Sequence, residues 1–147
     1  MLKPLLIGLG LAFVLLDSGM GDIVAVSNAA ESGYAPQTSD AREIKVTVTP
    51  QNISSGGKTW DFSVTAESHT KSIDDDLARS AVLIADGRRY EPLTWEGAPP
   101  GGHHRKGVLR FTAIKPVQAS IELQIRLNGE AAPRSFRWML KGKGYGS

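Results

Sequence analysis

Residues 58–66 read Lys-Thr-Trp-Asp-Phe-Ser-Val-Thr-Ala, "KTWDFSVTA", and this stretch decides the fold. Trp60, Phe62, Val64 and Ala66 alternate with Asp61, Ser63 and Thr65. A period of two places successive side chains on opposite faces of a strand, so this segment has one apolar and one wet face. Upstream, Ile44, Val46 and Val48 alternate with Lys45, Thr47 and Thr49 in the same way. Downstream the rule recurs at Leu109, Phe111 and Ala113, at Ile121, Leu123, Ile125 and Leu127, and at Phe136, Trp138 and Leu140.

Between these lies the continuous apolar run Ala81–Ala85, then Asp86-Gly87, then Arg88 to Trp95. Two runs joined by Asp-Gly predict a hairpin. The pattern predicts strands over 43–49, 58–66, 80–85, 88–95, 107–114, 119–127 and 134–140. About seven short strands separated by Gly, Pro and Asn turns imply an all-β chain, folded as an antiparallel β-sandwich over residues 43–140.

The chain has 147 residues, enough for one domain with a single core. Lys3 followed by an apolar stretch from Leu5 to Leu16 predicts a signal peptide or N-terminal anchor over residues 1–29. Small residues offer cleavage after Gly21, Ser27 or Ala29. The stretch from Ser27 to Ala41 is rich in Ser, Ala, Gly, Pro, Asn and Asp without apolar period, so residues 30–42 read as a flexible linker, and 141–147, with three glycines, as a flexible tail. There is no cysteine, so disulfides, thiolate nucleophiles and a cysteine-held lipid anchor are excluded, which suits an exported protein held together by its core. The formal net charge of +2 is scattered along the chain, so no nucleic-acid partner is expected. Membrane contact is expected only through an uncleaved N-terminal segment.

If strand direction alternates, the connections after the second, fourth and sixth strands share one end. The first two of these are the longest interior loops, "ESHTKSIDDDLAR" (67–79) and "EGAPPGGHHRK" (96–106). All three histidines, His69, His103 and His104, thus fall at one pole with Asp74, Asp75 and Asp76. Pro99 and Pro100 stiffen the second loop, while Gly101 and Gly102 admit backbone angles closed to other residues.

This pole supports two readings. In the first, His103, Arg105 and Lys106 meet Asp74, Asp75 and Asp76 and latch the loops by charge and hydrogen bonds. In the second, His69 with one or both of His103 and His104 binds copper or zinc, the aspartates or Arg105 forming a surrounding shell. Adjacent histidines point apart, so one of the pair would be structural. Ser72-Ile73-Asp74-Asp75 has the form of a capping box ahead of a single helical turn. The acids lack the spacing of a helical calcium loop, and the chain has no nucleophile elbow, zinc-protease motif or phosphate loop. No catalytic residue is assigned, and an enzyme is not expected. Trp60 and Trp138 belong with the core, and Trp95 ends the fourth strand.

The stretch "DGRRYEPLTWEGAPPGGHHRKGVLRF" resembles small exported immunoglobulin-like domains of uncharacterised microbial proteins. The resemblance rests on the Asp86-Gly87 turn, Tyr90-Glu91-Pro92, the loop at 96–106 and Gly107-Val108-Leu109-Arg110-Phe111. It implies an immunoglobulin-like strand order across 43–140 and carries no reaction. The function expected is therefore an exported, periplasmic or secreted, non-enzymatic binding or structural module whose partner is a protein or small ligand. The alternative is an envelope metal-binding protein for copper or zinc.

Overall fold

The computed structural model describes residues 34–54 and 56–140. The leader expected over 1–29 and the tail expected over 141–147 lie outside the described residues. Within them the order is β1 (Gln37–Ala41), β2 (Ile44–Pro50), β3 (Thr59–Glu67), α1 (Leu77–Ser80), β4 (Ala81–Ala85), β5 (Arg88–Tyr90), β6 (Thr94–Gly97), β7 (His104–Thr112), β8 (Ser120–Ile125) and β9 (Arg134–Met139). Two antiparallel sheets form, in orders β1-β2-β3-β7-β6 and β5-β4-β8-β9. With β1 set aside, this is the A-B-E-D and C′-C-F-G arrangement of an immunoglobulin-like sandwich.

The inner faces are those marked by the period-two pattern. Trp60, Phe62, Val64 and Ala66 on β3 are buried together with Leu109 and Phe111 on β7 and Leu83, Ile121, Leu123, Ile125, Phe136 and Trp138 from the smaller sheet. The centre is aromatic: Phe62 meets Phe111 edge-on at 5.6 Å and Trp138 at 5.9 Å. Both buried indoles satisfy their N–H groups, Trp60 on the Ser54 carbonyl and Trp138 on the Ala35 carbonyl. Register is fixed because a one-residue slip would turn this whole set to water.

Two expectations need correction. The single strand expected over 88–95 is two strands in different sheets, which together with β1 makes nine strands among the described residues rather than about seven: Tyr90 pairs with Leu83 in the smaller sheet, and Thr94 pairs with Arg110 in the larger. Pro92, lying between them, has no N–H to give a ladder, so the chain changes sheets there. Both halves run antiparallel to their neighbours, so the parity argument survives.

The second correction concerns the flexible linker expected over 30–42, because residues 37–41 form β1. Its polar sequence hides it. β1 pairs along the edge of β2 and is pinned by β9: the Gln37 side chain accepts from Arg137 N–H (3.0 Å) and donates to the Arg137 carbonyl. An amide side chain thereby joins the edge strands of the two sheets.

Candidate functional site

Four connections meet at the pole that parity picked out. They are the β1–β2 turn at 42–43, the β3–β4 segment at 68–80, the β6–β7 loop at 98–103 and the β8–β9 loop at 126–133. The two long loops join main chain to main chain: Ser68 N–H donates to the His103 carbonyl (2.9 Å), Ile73 N–H to Gly102 (2.8 Å) and Gly101 N–H back to Ile73 (2.9 Å). Gly101 and Gly102, with φ of 113° and 83°, supply the bend that brings these groups into line.

Arg105 holds the junction from inside. His104 and Arg105 were expected in the loop but belong to β7, where Ala66 pairs with Arg105 and Glu67 with His104. Arg105 therefore points inward with Leu109 and Phe111, and only 1% of its surface is exposed. Its Nη1 donates to the carbonyls of Asp75 (2.6 Å) and Ile73 (3.2 Å), and Nη2 to that of Ala98 (3.1 Å). The guanidinium lies 5.7 Å from the Trp95 ring centre, and the Trp95 indole shares the Ala98 carbonyl. Burial lowers its pKa and the nearby aspartates, Asp75 foremost, oppose that shift; the group stays charged at any physiological pH. Its Nε has no hydrogen-bond partner among the described residues.

The latch thus uses carbonyl groups, whereas carboxylates were expected. Each aspartate serves its own neighbourhood. Asp74 accepts from the Ser72 hydroxyl (2.7 Å), Asp75 is buried and accepts from Asn128 N–H (2.6 Å), and Asp76 caps α1 through Ala78 N–H (3.1 Å). Asp76, not Ser72, is the N-cap, so the expected box is displaced by four residues.

The histidines are exposed and face different partners. His103 Nδ1 bonds to the Lys71 carbonyl (2.8 Å), and His104 Nε2 lies 3.6 Å from Glu67. His69 lines a depression of about 320 Å³ with Asp40, Glu43, Lys45, Glu67, Ser68 and Thr70. Among the described residues no three His, Cys, Asp or Glu side chains are grouped to hold a metal ion.

Sequence reading missed a second buried arginine. Arg134, its side chain 4% exposed, grips Glu130 through Nε at 3.0 and 3.2 Å. Its other nitrogens donate to the carbonyls of Ser39 (3.0 Å), Ile44 (2.8 Å) and Ala41 (2.8 Å). These flank the β1–β2 turn, where Arg42 and Glu43 adopt left-handed angles (φ 51° and 65°). Such angles cost non-glycine residues about 1 kcal/mol or more each, and the clamp offsets this. The signal was available: Arg134 precedes Phe136 and Trp138 at the same parity, so a charge stood at a core-facing position.

No protein-family model matches the chain, and no curated protein matches it. Among solved structures, the chain is similar to the crystal structure of a secreted protein from Mycobacterium tuberculosis, MPT63, at 16% identity, with 72% of this chain and 92% of that one covered and a TM-score of 0.44.

Proposed function

We propose that the chain is an exported, non-enzymatic binding module whose rigid loop pole meets a partner protein or small ligand. The observation that supports this is the commitment of the pole's polar groups to holding its own backbone. Acid–base chemistry requires a titratable group beside a reacting atom. Here the Asp75 carboxylate serves a backbone N–H, the Arg105 guanidinium serves carbonyls, and His103 serves another carbonyl. A scaffold so fixed presents its loops with little entropy to lose on binding. Export is supported by Lys3, the apolar stretch 5–16 and the absence of cysteine.

The test is a photo-crosslinking residue placed at His69 and, separately, at Gln118 in the connection between β7 and β8, in cells that export the full chain. A discrete adduct from position 69 and none from 118 is expected. The same products from both positions, or none from 69, would sink the reading. A copper or zinc role is the second reading. It rests on Glu67, which pairs with His104 and shares a depression with His69. Titration with Cu(II) and Zn(II) decides it, since a stoichiometric site must vanish in both His69→Ala and His104→Ala.

A further inference from the structure

On the outer face of the smaller sheet, beside the pole, a groove of about 400 Å³ has an unusual lining. Three arginines, Arg79, Arg89 and Arg126, line it, and none of its lining residues carries a carboxylate. Val82, Gln124 and Pro133 are among its other lining residues. The register explains the convergence. Val82 and Gln124 face each other across β4 and β8, Arg126 continues the outward parity of Gln124, and Arg89 stands opposite Ile84 on β5. Arg79, at the end of α1, reaches the groove from above.

These charges are largely unopposed. Arg89 has no hydrogen-bond or ion-pair partner among the described residues. Arg79 meets Asp76 only through Nε, at 3.6 Å, and its side chain is 89% exposed. Arg126 is fixed at its stem, N–H to the Ser80 carbonyl and Nε to the Glu130 carbonyl, both 2.9 Å, while its two terminal nitrogens have no partner among the described residues. Of the carboxylates nearby, Asp76 and Glu130 line an adjoining depression with Arg79 and Arg126, where Asp76 caps α1 and Glu130 is held by Arg134, and Glu122 is occupied by Ser135, Gln124 and Arg137. Like charges gathered in a concavity repel one another unless an anion enters.

We propose that this groove binds a phosphoryl group. Three planar forks offer more N–H donors than one carboxylate can accept, whereas a tetrahedral phosphoryl group presents oxygens in several directions. The groove takes Arg79, Ser80, Arg126 and Pro133 from the pole's connections but shares no residue with the depression lined by His69, so its test is read separately from that of the proposed binding role. A free phosphate or diphosphate and the headgroup of an anionic lipid share this chemistry.

The test uses the full mature chain at constant ionic strength, titrated with inorganic phosphate and diphosphate while backbone amide signals are followed, and sedimented in parallel with phosphatidylglycerol vesicles. Saturable shifts confined to residues 79–82, 89 and 124–126 are expected. The Arg79→Gln/Arg89→Gln double variant, which removes no structural hydrogen bond, should weaken binding tenfold or more, and Arg88→Gln, outside the groove, should leave it unchanged. Response to the soluble anions supports a free-phosphate site, and vesicle binding with the same variant pattern supports a headgroup site. Failure to saturate with any of the three probes, or an equal effect of Arg88→Gln, overturns the proposal.

Discussion

Arg105 and Glu122 show how single side chains act in this fold. Arg105 is charged, buried and bonded to three carbonyls from two loops. Its removal would leave the Asp75 carbonyl without its donor, take one of two donors from the Ile73 and Ala98 carbonyls, and open a void against Trp95. Arg105→Ala is therefore expected to lower unfolding free energy by about 3 kcal/mol or more. Arg105→Lys should recover little, because a point charge cannot serve three carbonyls in fork geometry. Urea unfolding at neutral pH checks both, and full recovery with lysine would refute the latch. Glu122 sits among Ser135, Gln124 and Arg137, whose hydrogen bonds, that of Ser135 foremost, bring its pKa down from 4.5 to about 2. A depressed carboxylate adds stability above its unfolded pKa and loses it as pH falls toward its folded one. The wild-type chain should lose on the order of 2 kcal/mol from this group between about pH 4.5 and 2. Glu122→Gln should lack that component of acid destabilisation; an unchanged acid limb in stability measured against pH would contradict the assignment.

At the scale of elements, the junction of β6 with β7 sets how the loops close. Gly97 and Gly107 pair across the two strands, and a Cβ on Gly107 would come within 2.7 Å of the Trp95 ring, the Glu96 carbonyl and Gly97 Cα. Neither backbone can retreat without breaking the ladder. Gly107→Ala should therefore destabilise the protein by about 1–3 kcal/mol and displace Trp95 from beneath Arg105. Loss of tryptophan near-ultraviolet circular dichroism together with a lowered melting temperature is the expected signature. An unchanged spectrum would show that the strands have slack. Gly101 and Gly102 act differently, since their positive φ values are what the loop contact requires.

At the scale of the molecule, the segment before β2 closes one side of the sandwich. It gives Trp138 the Ala35 carbonyl, gives Arg134 the carbonyls of Ser39 and Ala41, and joins Arg137 through Gln37. A chain starting at residue 42 should be less stable than one starting at residue 30 by about 3 kcal/mol or more, because a buried guanidinium loses acceptors. Equal urea midpoints for the two chains would refute this closure. Alternation in "KTWDFSVTA" and its counterparts was enough to identify the sandwich and its inner residues, since burial on one face imposes a period of two on the residues themselves, and the Asp-Gly pair between two runs marked the hairpin. Alternation of direction was enough to bring the histidines and aspartates to one pole. β1 stayed hidden because its bonds are main-chain bonds along an edge, made by residues with no apolar pattern. The sheet change at Pro92, the carbonyl partners of Arg105 and the clamp of Arg134 on the β1–β2 turn depend on which backbone groups face a given side chain across the sandwich. Sequence by itself determined which faces are buried; only the tertiary structure decided what the buried charges hold, because most of their partners are backbone groups, which every residue carries alike.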